Sequence, residues 1–206
     1  MTATGTRRRR GRGHELRDVV LERTTDLLAE LGDVHAVTMR DVAAAAGVTP
    51  PSVYRHFADK DALIRAVIGA RFEELTAVLR SAATVAGGDA AARLAATARA
   101  YVQWGLDHPG HYRVLFSATN AGPEGLGLPA GTEHPGAESH RTLIEVVAEA
   151  CLPGSTGDET LVRATELWAS LHGIVDLRIT KPDMPWPHRD DLVDAALAAV
   201  LTTSSS

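Results

Sequence analysis

The sequence predicts an all-α fold, and three observations support this prediction. Apolar residues recur at intervals of three and four along most of the chain, as they do on one face of a helix. No segment alternates apolar and polar residues over the length of a strand, and no internal repeat is visible. Aromatic residues make up 4% of the chain, whereas hydrophobic residues make up 45%. A core built mainly from Ala, Leu and Val favours helices packed on helices.

Capping and turn signals divide these periodic segments into nine predicted helices. Thr38 and Asp41 can form a capping box at the start of the second helix. Gly47 can end that helix because a left-handed backbone costs glycine little. Thr49 is expected to cap the third helix, with Pro50 at its first position, where no hydrogen bond is lost. The predicted helices cover residues 14–31, 39–46, 50–57, 60–83, 90–107, 112–117, 141–151, 158–180 and 189–201.

The same pattern predicts how the chain is organised into domains. The first three helices form a domain over residues 14–60, and the other helices form a larger domain over residues 61–201. Residues 1–13 are predicted to be a disordered basic arm, and residues 202–206 a disordered tail. Residues 118–136 carry five Gly and three Pro without periodicity, which predicts a mobile loop.

The net charge of −5 argues against a nucleic-acid partner, but the distribution of charge reverses that conclusion. Residues 1–60 hold ten Lys and Arg against eight Asp and Glu, and the remainder holds eleven against eighteen. Five arginines lie between residues 7 and 12 with no acidic residue among them. A basic end on an acidic body indicates one polyanion-binding end, although an arginine run is equally typical of a solvated, disordered tail.

Several classes of protein are disfavoured by the sequence. One cysteine permits no intramolecular disulfide, and no apolar run suits a membrane span or a signal peptide, so we expect a soluble, cytoplasmic protein. His108 and His111 flank a turn without a cysteine cluster, so neither a metal site nor a cofactor is predicted. Cys151 has no evident cationic neighbour that would make it a redox sensor. No phosphate loop and no Ser-His-Asp arrangement stands out, which leaves a helical enzyme as a remote alternative.

Residues 42–58 have the pattern of a helix-turn-helix. Gly47 separates two short helices, and the second carries a hydroxyl, a phenol, a guanidinium and an imidazole within one and a half turns. The second helix of such a motif enters the DNA major groove. The residues of this segment that are predicted to lie in the core are Val42, Ala43, Ala46, Val48, Val53 and Phe57.

The polar residues around this motif predict DNA contacts. Tyr54 and His56 can each donate one hydrogen bond to a phosphate, and Lys60 adds a positive charge at the start of the next helix. Arg55 can reach phosphate or guanine, and Arg40 can bind a guanine edge with two hydrogen bonds. Two alternatives remain open, namely Tyr54 as a half-buried packing residue and Lys60 as a solvated lysine.

Three short elements follow one another here: Gly47-Val48-Thr49, Tyr54-x-His56-Phe57 and Lys60-x-x-Leu63. Together they resemble the DNA-binding signature of the TetR family of bacterial transcriptional regulators over about residues 14–65. The resemblance implies a three-helix DNA-binding domain, a larger ligand-binding and dimerisation domain, and repression relieved by a small molecule. It places phosphate contacts at Tyr54, His56 and Lys60, and base readers at Arg40, Thr49, Pro50, Pro51 and Ser52.

The two prolines depart from the polar or glycine residues that are commoner in this family. They can offer only apolar contact to a thymine methyl group. A second and weaker resemblance lies in residues 108–116 and in the Trp168, His172 and Gly173 pattern, which are similar to a TetR subgroup with a Trp…His-Gly C-terminal domain. This resemblance supports the domain layout and identifies no ligand.

The last two predicted helices carry wide apolar surfaces. The belt on the eighth helix suggests burial against both the domain core and a partner, and alanines on the ninth permit close helix approach. In the resembling family these helices form a four-helix interface with a second copy, which implies a two-fold dimer and a palindromic operator. The residues predicted for this interface are Leu161, Leu167, Leu171, Ile174, Val193, Ala196, Leu197 and Val200.

The resemblance also implies a ligand pocket, which would be apolar with a few polar groups. His172 is the best polar candidate because Trp168 lies one turn before it on the same face. For each candidate, ordinary core packing is the alternative. The predicted pocket residues are Tyr101, Trp104, Tyr112, Phe116, Leu143, Val147, Trp168 and His172.

Two functions of different classes follow from the sequence. The first is a homodimeric repressor that binds double-stranded DNA at a palindromic operator and is released by a small-molecule effector. The alternative is an architectural DNA-binding protein with weak sequence preference, driven by the arginine arm. Titration of the chain's own upstream DNA with scrambled competitor separates them.

Overall fold

A computed structural model of the protein describes residues 5–116, 131–151 and 156–202. Within these ranges the chain forms nine α-helices and no strand, which confirms the predicted fold class. The predicted loop falls largely on residues 117–130, which lie outside the described residues, as do the first four residues and the last four. The helices are α1 (Gly5–Leu31), α2 (Met39–Ala45), α3 (Pro50–Tyr54), α4 (Lys60–Ala86), α5 (Ala90–Asp107), α6 (Pro109–Phe116), α7 (Ala137–Ala150), α8 (Gly157–Thr180) and α9 (Arg189–Thr202).

Several helix boundaries differ from the prediction, among them the end of α4 at Ala86 and the start of α6 at Pro109. Helix α1 begins at Gly5, so residues 5–13 of the predicted disordered arm are helical; that segment contains no proline, and arginine is a good helix former. Helix α3 ends at Tyr54 rather than at residue 57, because the N–H groups of residues 56 and 57 both bind the carbonyl oxygen of Val53 in a tight final turn. Helix α7 begins at Ala137, one turn before the predicted start.

The described residues divide into two compact units. The first unit comprises residues 5–71, 110–116 and 131–135, and the second comprises residues 72–109, 136–151 and 156–202. The predicted DNA-binding region over residues 14–60 lies within the first unit.

The core of the first unit joins α1, α2 and α3 with the start of α4. Fully buried apolar residues come from each helix, and the guanidinium of Arg17 lies 5.6 Å from the centre of the Phe57 ring. Val42, Ala43, Val53 and Phe57 are buried as predicted, whereas Ala46 and Val48 are half-buried because they flank the turn. The residues with no exposed surface in this core are Val20, Leu28, Val37, Val42, Val53, Leu63 and Val67.

The core of the second unit is a packed group of four helices, α5, α7, α8 and α9. Each of them contributes apolar residues that are fully buried. Burial of one Val or Leu side chain stabilises the fold by about 1.5–3 kcal/mol relative to leaving it exposed. The residues with no exposed surface are Leu94, Ala98, Val102, Val147, Ala164, Leu167, Leu171, Val175 and Val193.

Two further properties hold across the described ranges. Every helix there falls short of the length or the apolar character that crossing a membrane requires. No cluster of three or more His, Cys, Asp or Glu side chains in those ranges could hold a metal ion.

Candidate nucleic-acid interface

A capping box starts α2, as the sequence predicts. The hydroxyl oxygen of Thr38 accepts a hydrogen bond from the main-chain N–H of Asp41 at 3.2 Å. The carboxylate of Asp41 in turn accepts the main-chain N–H of Thr38 at 3.1 Å. Two N–H groups are thereby satisfied at this end of the helix, and an acidic residue lies in its first turn, where the helix dipole favours negative charge.

The turn between α2 and α3 is fixed by Gly47. Its φ of +67° lies in the left-handed region, where a side chain would be strained. The N–H of Gly47 binds the carbonyl oxygen of Ala44 at 3.1 Å, and the N–H of Val48 binds that of Ala43 at 2.9 Å. This pair of bonds is the Schellman motif, which closes α2 and sends the chain into α3.

Three polar side chains are joined on one face of α3. The hydroxyl oxygens of Thr49 and Ser52 lie 3.1 Å apart, and Nη2 of Arg55 donates to the Ser52 hydroxyl at 3.3 Å. Thr49 occupies the N-cap position, but its side chain makes no capping bond, because its hydroxyl pairs with Ser52. The spacing of three places all three residues on the same side of the helix, and Thr49 and Arg55 are exposed there.

The remaining predicted DNA contacts differ in their exposure. Arg40 and Pro51 are exposed, and Tyr54 keeps 51% of its surface, so the alternative of a half-buried packing role for Tyr54 is not supported. Pro50 and His56 are half-buried. The centre of the His56 ring lies 6.5 Å from that of the buried Phe57 ring, and the two rings are tilted by 52°.

The side chain of Lys60 forms hydrogen bonds with main-chain carbonyl groups of the first unit. Its Nζ donates to the carbonyl oxygens of Val34, Val37 and His35 at 2.9, 3.1 and 3.3 Å. This arrangement differs from both sequence-based interpretations of Lys60, the phosphate contact and the solvated lysine. The sequence carries no signal for it, because the three carbonyl groups lie 23 to 26 residues earlier in the chain.

Aromatic side chains gather in the second unit at the predicted pocket positions. The indole N–H of Trp168 donates to the Tyr101 hydroxyl at 3.2 Å. Two imidazoles lie near the Trp168 ring, with ring centres 5.6 Å away for His140 and 6.3 Å away for His172. The sequence interpretation missed His140, although it lies three and seven residues before Leu143 and Val147 on the same helical face.

The two imidazoles beside Trp168 differ in their surroundings. Burial lowers the pKa of His172, and the nearby carboxylate of Asp176 opposes this shift only in part. The neutral form of His172 is therefore favoured. Nε2 of His140 is buried and has no hydrogen-bond partner among the described residues. A buried polar atom without a partner is costly, so this nitrogen is suited to bind a ligand or a water molecule.

The other predicted pocket residues have contacts of their own. Trp104 donates its indole N–H to the carboxylate of Glu74 at 3.0 Å and stacks on His108 with ring centres 5.7 Å apart. Leu143 and Val147 are buried in the second unit. Tyr112 and Phe116 belong to the first unit, where their ring centres lie 4.7 Å apart.

Most residues predicted for a dimer interface lie inside the second unit. Periodicity identifies the apolar faces of a helix but does not tell which face the chain's own core covers. Leu161 is exposed, and Ile174 and Ala196 are half-buried. The five that are buried in the unit's own core, contrary to the prediction, are Leu167, Leu171, Val193, Leu197 and Val200.

Cys151 has a cationic neighbour that the sequence did not indicate. Nη1 of Arg163 lies 3.8 Å from its Sγ atom and also donates to the carbonyl oxygen of Val200 at 3.3 Å. The expectation that Cys151 lacks such a neighbour is therefore wrong. Twelve residues separate Cys151 from Arg163, and the two are brought together where α8 begins.

Comparison with known families decides the assignment. Residues 20–67 match the family model of bacterial regulatory proteins of the tetR family, and residues 94–200 match that of the tetracyclin repressor-like C-terminal domain. The chain belongs to the TetR family. This confirms the family predicted from the helix-turn-helix, whereas the Trp…His-Gly subgroup stays a prediction.

Individual relatives of this TetR chain agree with the assignment. It is 41% identical to the HTH-type transcriptional repressor Rv3405c of Mycobacterium tuberculosis over 69 residues, which are 34% of this chain and 36% of that protein. It is 30% identical to the uncharacterized HTH-type transcriptional regulator Rv0681 of the same organism over 148 residues, covering 70% of this chain and 62% of that protein. The structure of a TetR family transcription regulator from Marinobacter aquaeolei VT8 shares the fold, with a TM-score of 0.71 and 18% identity. The match covers 92% of this chain and 97% of that chain.

Proposed function

We propose that this TetR chain is a DNA-binding transcriptional repressor that acts in the cytoplasm and has no catalytic role. The observation that carries the proposal is the polar face that Thr49, Ser52 and Arg55 form along α3, in which Thr49 and Arg55 are exposed. These side chains are already joined by hydrogen bonds, so little conformational freedom is lost when they meet a base edge. The 69-residue match to a protein named as a repressor supports the same sign of regulation.

The proposed contacts divide into base reading and phosphate binding. Arg40, exposed at the second position of α2, is proposed to bind a guanine edge, and Arg55 either a guanine or a phosphate. The hydroxyl of Tyr54, an exposed residue, and the imidazole of His56 are proposed to donate to phosphates. At the start of α3, the residues proposed to contact bases are Thr49, Pro50, Pro51 and Ser52. The two prolines offer only apolar surface.

The proposed dimer uses the faces of α8 and α9 that the second unit leaves uncovered. Leu161, Val162 and Leu177 are exposed apolar residues of α8. Gly173 lies on this helix as well, and a Cβ built there meets nothing within 4 Å, so a second helix could approach closely. On α9, the exposed small residues are Ala195, Ala198 and Ala199. A two-fold dimer implies a palindromic operator.

The dimer is tested by a charge placed on this exposed face. Leu177→Glu is expected to weaken self-association at least tenfold in sedimentation velocity, because a carboxylate in an apolar interface is poorly solvated. Val85→Glu is the matched control, since Val85 is also exposed and apolar but lies on α4. Equal association of both variants would contradict the proposed surface.

The proposed effector site is the aromatic group around Trp168. Tyr101, His140 and His172 give it hydrogen-bonding atoms. The buried Nε2 of His140, which has no hydrogen-bond partner in the part of the chain that the structure describes, is the observation that favours a ligand there. These groups suit an apolar or aromatic molecule with at least one hydrogen-bonding group. A thermal-shift screen identifies such molecules, and His140→Phe is expected to abolish the shift while the unliganded protein stays folded.

The repressor and the architectural binder are separated by competition. Labelled DNA from upstream of the chain's own gene is titrated with the protein at several salt concentrations, against scrambled competitor. A repressor is expected to prefer the specific site at least about a thousandfold. Equal affinity for both sequences with a steep salt dependence would favour the architectural binder.

A further inference from the structure

Lys60 makes its bonds at the junction of α4 with the segment between α1 and α2. It is the first residue of α4, and the preceding Asp59 caps that helix by accepting the N–H of Ala62 at 2.7 Å. The ammonium group has three N–H donors. The carbonyl oxygens of residues 34, 35 and 37 lie at 2.9, 3.3 and 3.1 Å, so every donor has a partner within the protein.

The carbonyl groups that Lys60 binds belong to a segment that few other hydrogen bonds hold in place. The segment of residues 32–38 has no regular secondary structure, and its internal bonds run from the N–H groups of His35 and Ala36 to Asp33. Val37 is fully buried, and a buried carbonyl group without a partner would cost about 1–3 kcal/mol. Val37 also directly precedes Thr38, the N-cap of α2. The ammonium group therefore fixes the point at which α2 begins.

We infer that Lys60 is a positioning residue for DNA recognition: it holds the start of α2, and thereby Arg40, in place through three main-chain carbonyl groups. This role is distinct from a phosphate contact, because all three N–H donors of the ammonium group have carbonyl partners within the protein. The inference rests on the proposed function. It adds a role in DNA recognition for a residue whose ammonium group binds the protein's own main chain.

The salt dependence of DNA binding distinguishes positioning from phosphate contact. Each phosphate neutralised by a lysine contributes about 0.9 to the slope of log affinity against log salt. Lys60→Met is expected to weaken binding to the upstream DNA by about tenfold at every salt concentration, with the slope of the wild type. Hydrogen exchange of the amides of residues 34–42 is expected to accelerate at least tenfold. Lys181→Met, at the only other lysine, should change neither quantity.

Lys60→Arg provides the second test and keeps the positive charge. A planar guanidinium cannot direct three donors at three converging carbonyl groups as an ammonium does, so affinity is expected to fall here too. Two outcomes would overturn the inference. The first is a salt slope reduced by about 0.9 in Lys60→Met, with hydrogen exchange unchanged. The second is DNA affinity and hydrogen exchange in Lys60→Arg that equal those of the wild type. If the wild type itself fails to bind specific DNA, the proposed function fails, whereas the exchange experiment still tests the positioning role.

Discussion

The guanidinium of Arg71 lies 3.1 Å from the carboxylate of Glu22 and joins α4 to α1 within the first unit. The other carboxylate oxygen of Glu22 lies 3.5 Å from Nε2 of His111 on α6. The Arg71 side chain keeps only 14% of its surface, whereas that of Glu22 keeps 49%. Three helices thus meet at one carboxylate.

Glu22→Ala is expected to lower the free energy of unfolding by about 1–3 kcal/mol, because it removes the carboxylate that faces a largely buried guanidinium. Asp26→Ala is the matched control on the same helix. Its partner Arg23 lies at the same 3.1 Å, but both side chains are 54% exposed, so its effect should stay below about 1 kcal/mol. Urea unfolding measures both values, and equal losses would contradict the importance of burial here.

The turn of the helix-turn-helix makes a second prediction. Gly47→Ala is expected to lower the free energy of unfolding by about 1–2 kcal/mol, because its φ of +67° is unfavourable for an L-residue. Gly69→Ala should instead raise it by about 0.5–1 kcal/mol, since Gly69 lies inside α4 and an added Cβ meets nothing within 4 Å. The same urea experiment compares the two variants. A neutral Gly47→Ala would show that the turn tolerates another conformation.

His172 makes stability depend on pH in a defined direction. Because burial lowers its pKa from 6.5, the folded state binds fewer protons there than the unfolded state under mildly acidic conditions. Its contribution to stability is therefore complete above pH 6.5 and is lost as the pH falls through the lowered pKa. Melting temperatures between about pH 8 and pH 5 should fall less in His172→Gln than in the wild type. Parallel curves would contradict the role of His172.

The bond between Trp168 and Tyr101 gives a fourth prediction. Tyr101→Phe removes the hydroxyl that accepts the indole N–H at 3.2 Å and should lower the free energy of unfolding by about 1 kcal/mol. Tyr54→Phe removes the hydroxyl of an exposed residue and should leave stability within about 0.5 kcal/mol while weakening DNA binding. Thermal unfolding and DNA titration of both variants separate the two roles. A stable Tyr101→Phe would show that the Trp168 bond contributes little.

Local features of the helix-turn-helix could be predicted from the sequence. The capping box of Thr38 and Asp41 spans three residues, and the turn at Gly47 depends on one residue's backbone. Such features need no knowledge of distant parts of the chain. Even here, the hydroxyl of Thr49 pairs with Ser52 and does not cap the N-terminus of α3. Two short-range partners can therefore compete for one hydroxyl.

Features that depend on distant partners could not be predicted. The ammonium of Lys60 meets carbonyl groups 23 to 26 residues away, and main-chain carbonyls leave no mark in the sequence. The apolar stripe of α8 was recognised, but Leu167 and Leu171 proved to face the unit's own core. His140 could have been found, because it shares a helical stripe with Leu143 and Val147.

A hydroxyl-radical footprint on the DNA upstream of the chain's own gene tests the central claim most directly. A two-fold dimer with α3 in the major groove should protect two symmetry-related segments, with centres about one helical turn, roughly 34–36 Å, apart or farther. Protection should persist in the presence of excess scrambled DNA and weaken in Arg40→Ala. Continuous protection without symmetry, lost equally to scrambled competitor and unchanged in Arg40→Ala, would contradict a sequence-specific regulator.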